Sequence, residues 1–240
     1  KWRLNDAAEK KNSTSLVTEL ENIANSDNNW KEESGKGALL VAAKRGRKEN
    51  VELLLKWGVS PEAENKHGDT ALIIAAEKGH ADCVKLLLEW DANKDATTSY
   101  GETALMIAAL KGKTECVEFL LEWDADKDAA SNSGNTALHW AARNGHLECV
   151  RLLVDARADQ TKKNEKGKTA LDIAQKRRNT KVATLLAEAE AKAAQEAKAR
   201  AKQEEQEQEL TEAAALLAEA EAKAAQEAKA RAKQEEQEQE

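Results

Sequence analysis

Apolar and polar positions fall into blocks that return at a fixed interval. A mostly apolar run, Ala71 to Ala76, is followed by polar residues around Gly79 and then by a second apolar block, Cys83 to Leu88; equivalent blocks recur 33 residues on, from Ala104 and from Cys116. Glycine gives the interval its ruler. Gly35, Gly68, Gly101, Gly134 and Gly167 are each 33 residues apart, and four of them open the phrase G-x-T-A-L, while the first copy reads G-K-G-A-L. Cys83, Cys116 and Cys149 keep the same interval, as do Trp57, Trp90 and Trp123, and Gly46, Gly79, Gly112 and Gly145. Repeats of this period signal stacked supersecondary units.

Within one period, Thr70 stands where a hydroxyl can cap a helix, and the pattern predicts a short helix over 71–78 closed by Gly79. A second helix is predicted over 81–89. Its apolar residues Cys83, Val84, Leu86, Leu87 and Leu88 exceed what one amphipathic stripe can bury, so each helix pair must pack on a neighbour at both ends.

The segment G-D-T-A-L-I-I-A-A-E-K-G-H-A-D-C-V-K-L-L-L-E-W-D-A-N resembles an ankyrin repeat, and residues 32 to about 186 match as five consecutive units. Ahead of them, Leu4, Ala7, Ala8, Leu16, Val17 and Leu20 resemble a degenerate capping unit with a lengthened loop. The organisation expected is therefore a cap over 1–31, five repeats over 32–184 and a helical extension over 185–240. The resemblance implies an all-α solenoid of helix pairs with β-hairpin-type loops, used for binding other proteins. The family's usual Pro after the capping Thr is Ala throughout, and its usual His survives only as His139. After the second helix the family prefers Gly in a left-handed conformation. Gly58 keeps it, whereas Asp91, Asp124 and Arg157 do not, and Arg157 is expected to distort its unit at a cost of about 1 kcal/mol.

Beyond residue 181 the pattern changes. No Gly or Pro occurs from Lys168 to Glu240, and the segment Leu185 to Glu209 recurs unchanged as Leu216 to Glu240. Ala, Glu, Lys, Arg and Gln dominate, which favours helix strongly. Glu188, Lys192, Glu196, Arg200 and Glu204 form an i,i+4 stripe of alternating charge, each pair contributing a few tenths of a kcal/mol. If the last repeat's second helix simply continues, about 60 residues at ~1.5 Å each make a rod of roughly 90 Å. The segment lacks a sustained a/d series, so a solvated single helix is favoured over a weak coiled coil or a disordered tail. The chain begins at Lys1 and ends inside a duplicated segment, and reads as processed, trimmed or a fragment.

Composition changes this picture in one respect. The formal charge of −7 lies wholly in residues 185 to 240, which carry 15 acidic and 8 basic side chains and leave 29 of each sign in the remainder. A neutral body argues against bulk nucleic-acid binding. No apolar run reaches the roughly 18 residues that cross a bilayer, and an intracellular, cytoplasmic protein is expected.

Chemistry is sparse. Equivalent cysteines on helix layers ~10 Å apart exceed the ~7 Å disulfide limit, so free core thiols in a reducing compartment are expected. His80-x-x-Cys83 and His146-x-x-Cys149 have the short spacing of metal ligands, but both fall on the ordinary repeat, and the intervening unit has Lys113. Thr70, Thr103, Thr136 and Thr169 are occupied as caps rather than free as nucleophiles, and no phosphate-cradling motif occurs. No enzyme activity, cofactor or metal is expected.

The resemblance places the binding face on the concave side. There it is built from the loop residues flanking each unit's first Gly and from the two residues after the first helix's Ala pair. The latter are Lys44 and Arg45, Glu77 and Lys78, Leu110 and Lys111, Arg143 and Asn144, and Lys176 and Arg177, a strongly basic set. Loop tips add Lys36, His67, Asp69, Tyr100, Glu102, Asn135 and Lys168, with Tyr100 the best aromatic anchor. Trp57, Trp90 and Trp123 either pack on their own helices or form an exposed ladder of secondary anchors, and Trp140 lines the core or the groove. The function expected is a protein-binding scaffold or adaptor for an acidic segment, acting as a monomer. The alternative is a structural spacer or assembly element in which the tail self-associates weakly. An acidic tail folded back on the basic face is disfavoured, because the turn would break a helix of high propensity.

Overall fold

A computed structural model describes residues 2–10, 13–24 and 34–237. Two compact units divide at Glu188, one holding residues 1–188 and the other 189–240. Twelve α-helices and no extended strand occur among the described residues. The first unit is a stack of six helix pairs: α1 (Trp2–Glu9) with α2 (Thr14–Ala24), α3 (Lys36–Arg45) with α4 (Lys48–Lys56), α5 (Ala71–Lys78) with α6 (Ala81–Glu89), α7 (Ala104–Lys111) with α8 (Thr114–Glu122), and α9 (Ala137–Asn144) with α10 (Leu147–Asp155). The sixth pair joins α11 (Ala170–Arg177) to the opening turns of α12 (Thr180–Gln237), whose later residues make up the second unit.

Each first helix from α5 onward begins at a threonine. Thr70, Thr103 and Thr169 accept hydrogen bonds from the N–H groups of Ile73, Met106 and Asp172, satisfying donors that the helix itself leaves free. Gly37 occupies the equivalent position in the first full repeat, so α3 has no such cap and instead starts at Lys36, with Gly35 still helical in φ and ψ. The loops close in register. The amides of Asn65, Thr98, Ser131 and Asn164 donate to the carbonyls of Asp69, Glu102, Asn135 and Lys168, and two of these hairpins contain isolated antiparallel bridges, Glu64 with Thr70 and Thr97 with Thr103.

The core is continuous along the stack. Ala42, Ala43, Ala75, Ala76, Ala108, Ala109, Ala141 and Ala142 are fully buried on the first helices, and Val51, Leu54, Val84, Leu87, Val117, Leu120, Val150 and Leu153 on the second. Consecutive first helices pack more closely than consecutive second helices. Small side chains permit the approach on one side while larger ones hold the other side apart, so the stack curves with its first helices on the concave side. Leu4, Ala7, Ala8, Leu16 and Leu20 are buried, and α1 packs on α3, so the N-terminal pair joins the stack; the lengthened loop, residues 25–33, lies outside the described residues. In the second unit the surface over 191–208 is exposed, and Lys192–Glu196 at 3.9 Å and Arg200–Glu204 at 3.0 Å pair along the i,i+4 stripe.

Arg157 corrects one expectation. Its φ of 61° is left-handed, as are those of Asp91 and Asp124, yet α10 is as long as its counterparts, and Ala158 donates to Leu153 as Ala92 and Ala125 donate to Leu87 and Leu120. The unit is not distorted, because the flanking hydrogen bonds impose the conformation. A further non-glycine residue, Arg178, takes the left-handed place that glycine holds at Gly46, Gly79, Gly112 and Gly145, with φ 60°.

Two glycines separate conformational strain from close approach. A Cβ at Gly112 (φ +67°) would lie 2.5 Å from the ring of His146, whereas one at Gly167 (φ +65°) would meet nothing within 4 Å. Gly167→Ala should therefore cost about 1 kcal/mol from left-handed strain alone. Gly112→Ala should cost at least about twice that, since the ring must move as well. Unfolding in denaturant followed by circular dichroism compares the two, and equal losses would show that the ring contact is unimportant.

Candidate partner-binding face

The concave face is assembled from the first helices and the loop tips. At the tips, one side-chain oxygen organises each turn: Asn65 Oδ1 accepts from the amides of His67 (2.7 Å) and Asp69 (3.1 Å), Thr98 Oγ1 from Tyr100 (3.1 Å) and Glu102 (3.3 Å), and Asn164 Oδ1 from Lys166 (3.0 Å) and Lys168 (3.1 Å). Successive loops are stitched together, Ser99 N–H donating to His67 O, Asn132 N–H to Tyr100 O and Glu165 N–H to Ser133 O. The expected tip residues are thus held by local side-chain turns and cross-loop bonds. Tyr100 is 69% exposed there, His67 and Lys168 are exposed, and Asp69, Glu102, Asn135 and Lys36 are half-buried. Burial, aided by the charge of Asp69, raises the Glu102 carboxyl above its ordinary pKa.

The helix-end residues form two rows on the same side, but they are not equivalent electrostatically. Arg45 pairs with Glu9 of α1, and Glu77 pairs with Lys78 at 3.0 Å and Lys111 at 3.4 Å. Partial burial alone would raise the Glu77 carboxyl, but hydrogen bonds from the two lysines outweigh it and hold the pKa below the ordinary value. Arg143 lies over the Trp140 ring, 5.3 Å from its centroid, and Asn144 donates to the carbonyls of Leu110 and Trp140. Among the described residues, Lys44, Arg143, Lys176 and Arg177 have no carboxylate within ion-pair distance. Three of the seven cations in these rows therefore have a carboxylate partner within the chain, two of them sharing Glu77, and the cations without one gather toward the C-terminal end.

Two open grooves cross this face. One, of about 380 Å³, runs beside Asn5, Leu40, Lys44, Ile74, Glu77 and Lys78; the other, of about 490 Å³, runs beside Trp140, Ile173, Arg143, Lys168, Lys176 and Arg177. Expectation from sequence missed Ile74 and Ile173. Their signal was available, because Val41, Ile74, Ile107, Trp140 and Ile173 share one position of the 33-residue register, immediately before the first Ala of each pair. Trp57, Trp90 and Trp123 lie elsewhere, at the ends of second helices α4, α6 and α8; Trp57 and Trp123 pack against the core, and Trp90 is 38% exposed.

The histidines and cysteines are engaged structurally. The ring nitrogens Nε2 of His80 and His146 meet the carbonyls of Lys44 and Leu110, both at 3.1 Å, closing the ends of the preceding unit's first helix. Asn179 reaches Ala142 O at 2.8 Å in the same manner. His139 lies beneath the face: Nε2 donates to Lys168 O at 3.0 Å, and Nδ1 accepts from the Thr136 amide at 3.2 Å, so the proton sits on Nε2. No cluster of three or more possible metal ligands occurs among the described residues. Cys83, Cys116 and Cys149 are free and buried.

Curved stacking of helix pairs joined by hairpin loops defines a repeat solenoid. The family model for ankyrin repeats, which spans three copies, matches residues 4–98, 57–131, 91–164 and 124–198, and the chain belongs to the ankyrin repeat family. Comparison with curated proteins finds no match. No described helix is long and apolar enough to cross a membrane.

Two measurements test this arrangement. Burial lowers the pKa of His139 against the opposing pull of the Lys168 carbonyl, so the folded chain favours the neutral ring. The unfolded chain then binds the proton first as pH falls, and the stability tied to the neutral ring is present above about pH 6.5 and lost below it. His139→Leu should lower the melting temperature at pH 7, through the loss of hydrogen bonds each contributing about 1 kcal/mol. It should also flatten the fall between pH 7 and pH 5; an unchanged slope would assign that fall to other groups. Burial raises the pKa of all three thiols, Cys83 to about 11 and Cys116 to about 12. They should therefore react slowly with a bulky disulfide reagent until denaturant is added. Rapid labelling of the folded chain would contradict their burial.

Proposed function

We propose that this chain is a non-enzymatic protein-binding scaffold or adaptor whose concave face engages an acidic segment of a partner protein. Ankyrin repeats are in general protein-interaction modules, and the observation that carries the finer reading is the run of cations left without carboxylates at Lys44, Arg143, Lys176 and Arg177. Compensation within the chain would have favoured no charged partner, whereas exposed uncompensated cations attract acidic segments and accelerate their encounter. The exposed Tyr100 and half-buried Trp140 add the aromatic surface on which interface energy concentrates.

A second reading assigns α12 a spacing or assembly role. It draws on the fully exposed surface over 191–208 and its intrahelical ion pairs, which suit a helix maintained in water. Sedimentation of the whole chain against residues 1–188 separates the readings, since association that depends on 189–240 favours assembly.

The binding reading predicts salt-sensitive capture of Asp/Glu-rich peptides from an array. Reversing charge together at Lys44, Arg143, Lys176 and Arg177 should weaken capture at least about tenfold and remove most of its salt dependence. Capture that is indifferent to both changes would defeat the assignment.

A further inference from the structure

The two grooves of the concave face differ in how their charges are satisfied. Beside the N-terminal groove, Glu77 and Lys78 pair with each other. The C-terminal groove is lined by five cations and a single carboxylate, Glu165, over an apolar floor of Trp140 and Ile173. Resting on the binding reading above, we infer that the C-terminal groove is the recognition centre, and that it takes an extended segment of a partner protein in which an aliphatic or aromatic anchor sits between two carboxylates.

Three features favour that occupant. First, the Arg143 guanidinium is held by the Trp140 ring rather than by an acid, so it is positioned yet electrostatically unspent. Second, Trp140 Nε1 is buried and has no acceptor among the described residues, so the indole keeps a donor that a backbone carbonyl of a segment seated against it would satisfy. Third, the rim is preorganised. His139 fixes Lys168 through its carbonyl, and Asn164 fixes the Lys166–Lys168 turn, so binding orders little that is not already ordered.

The repeat also sets the spacing of the partner's acids. Arg143 and Lys176 occupy the same register position on neighbouring first helices, which pack ~10 Å apart. An extended peptide advances ~3.3 Å per residue, so carboxylates about three positions apart meet both cations and leave the residues between them over Trp140 and Ile173. Lys166 and Lys168 widen the cationic rim without adding a second spacing requirement.

The test is fluorescence anisotropy of a short labelled peptide bearing two glutamates three positions apart with a leucine between them, titrated with the full chain. A matched peptide with serine replacing the leucine reports the anchor. Arg143→Glu with Lys176→Glu should weaken binding at least about tenfold, and clearly more than Lys44→Glu with Lys78→Glu, which touches the outlying part of the same face. Trp140→Ile, which places there the residue already present at Ile107 and Ile173, should keep the helical circular dichroism and reduce the preference for leucine over serine, and an unchanged preference would place the anchor elsewhere. If only the N-terminal pair of reversals matters, the concave face binds acids but this groove is not its centre, and the inference falls while the broader reading stands. If the peptide fails to bind at all, both fall. Equal displacement by an oligonucleotide or anionic vesicle of matched charge would show that charge alone is recognised, and would overturn the anchored segment.

Discussion

Close approach of the first helices is the constraint from which the remaining architecture follows. The buried Ala pairs, from Ala42 and Ala43 to Ala141 and Ala142, let these helices come together more closely than the second helices, which meet through Val and Leu. A stack with unequal spacing on its two sides must curve, and the face with the shorter spacing becomes concave. The same approach leaves no room for a Cβ where the next unit reaches back: it would lie 2.6 Å from the His80 ring at Gly46 and 2.5 Å from the His146 ring at Gly112. Gly46, Gly79, Gly112 and Gly145 therefore serve both the left-handed helix end and the interface between units.

That interface also settles the hydrogen-bonding of the helix ends. An α-helix leaves its last carbonyls without partners, and burial between repeats would make them costly. One register position supplies the answer along the stack: Arg47 reaches Glu9 O, His80 reaches Lys44 O, His146 reaches Leu110 O and Asn179 reaches Ala142 O. Side chains of quite different chemistry serve here, since the position requires only a donor of the right reach. The two histidines that resemble a broken metal motif are thus donors to carbonyls, a task that Arg47 and Asn179 perform at the same register position.

Periodicity made the helix pairs, their caps and the concave rows legible, because each follows from a residue type recurring at one interval. What it could not convey was which charges cancel. Arg45 meets Glu9 across 36 residues, at the end of α1, whose sequence departs from the G-x-T-A-L register, and Glu77 bridges Lys78 and Lys111 from within the basic row itself. The net positive charge of the rows already includes Glu77, and Glu9, from outside them, lowers the field at their N-terminal end further. Arg178 escaped notice for a related reason: glycine at four equivalent positions suggests that glycine is required, yet the terminal unit has no successor crowding that site, so only backbone strain remains to be met.

Position in the stack explains the electrostatic asymmetry. An internal cation sits between two neighbouring units and has acids of both within reach, as Lys111 has Glu77 of the preceding unit. The final unit has a neighbour on one side only, and its first helix ends in Lys176 and Arg177 beside the exposed Gln175, which replaces the second buried Ala of the pair. Polar substitution there is what a terminal unit needs to remain soluble. The requirement is met with cations, which at a helix C-terminus also interact favourably with the helix dipole. The residues that end the stack against water thereby leave positive charge unpaired beside Trp140, where the concave face still offers apolar surface. Exposed ion pairs stabilise a fold by little, so pairing the N-terminal cations and leaving these free has scant effect on folding and a large one on the field that the face presents to solvent.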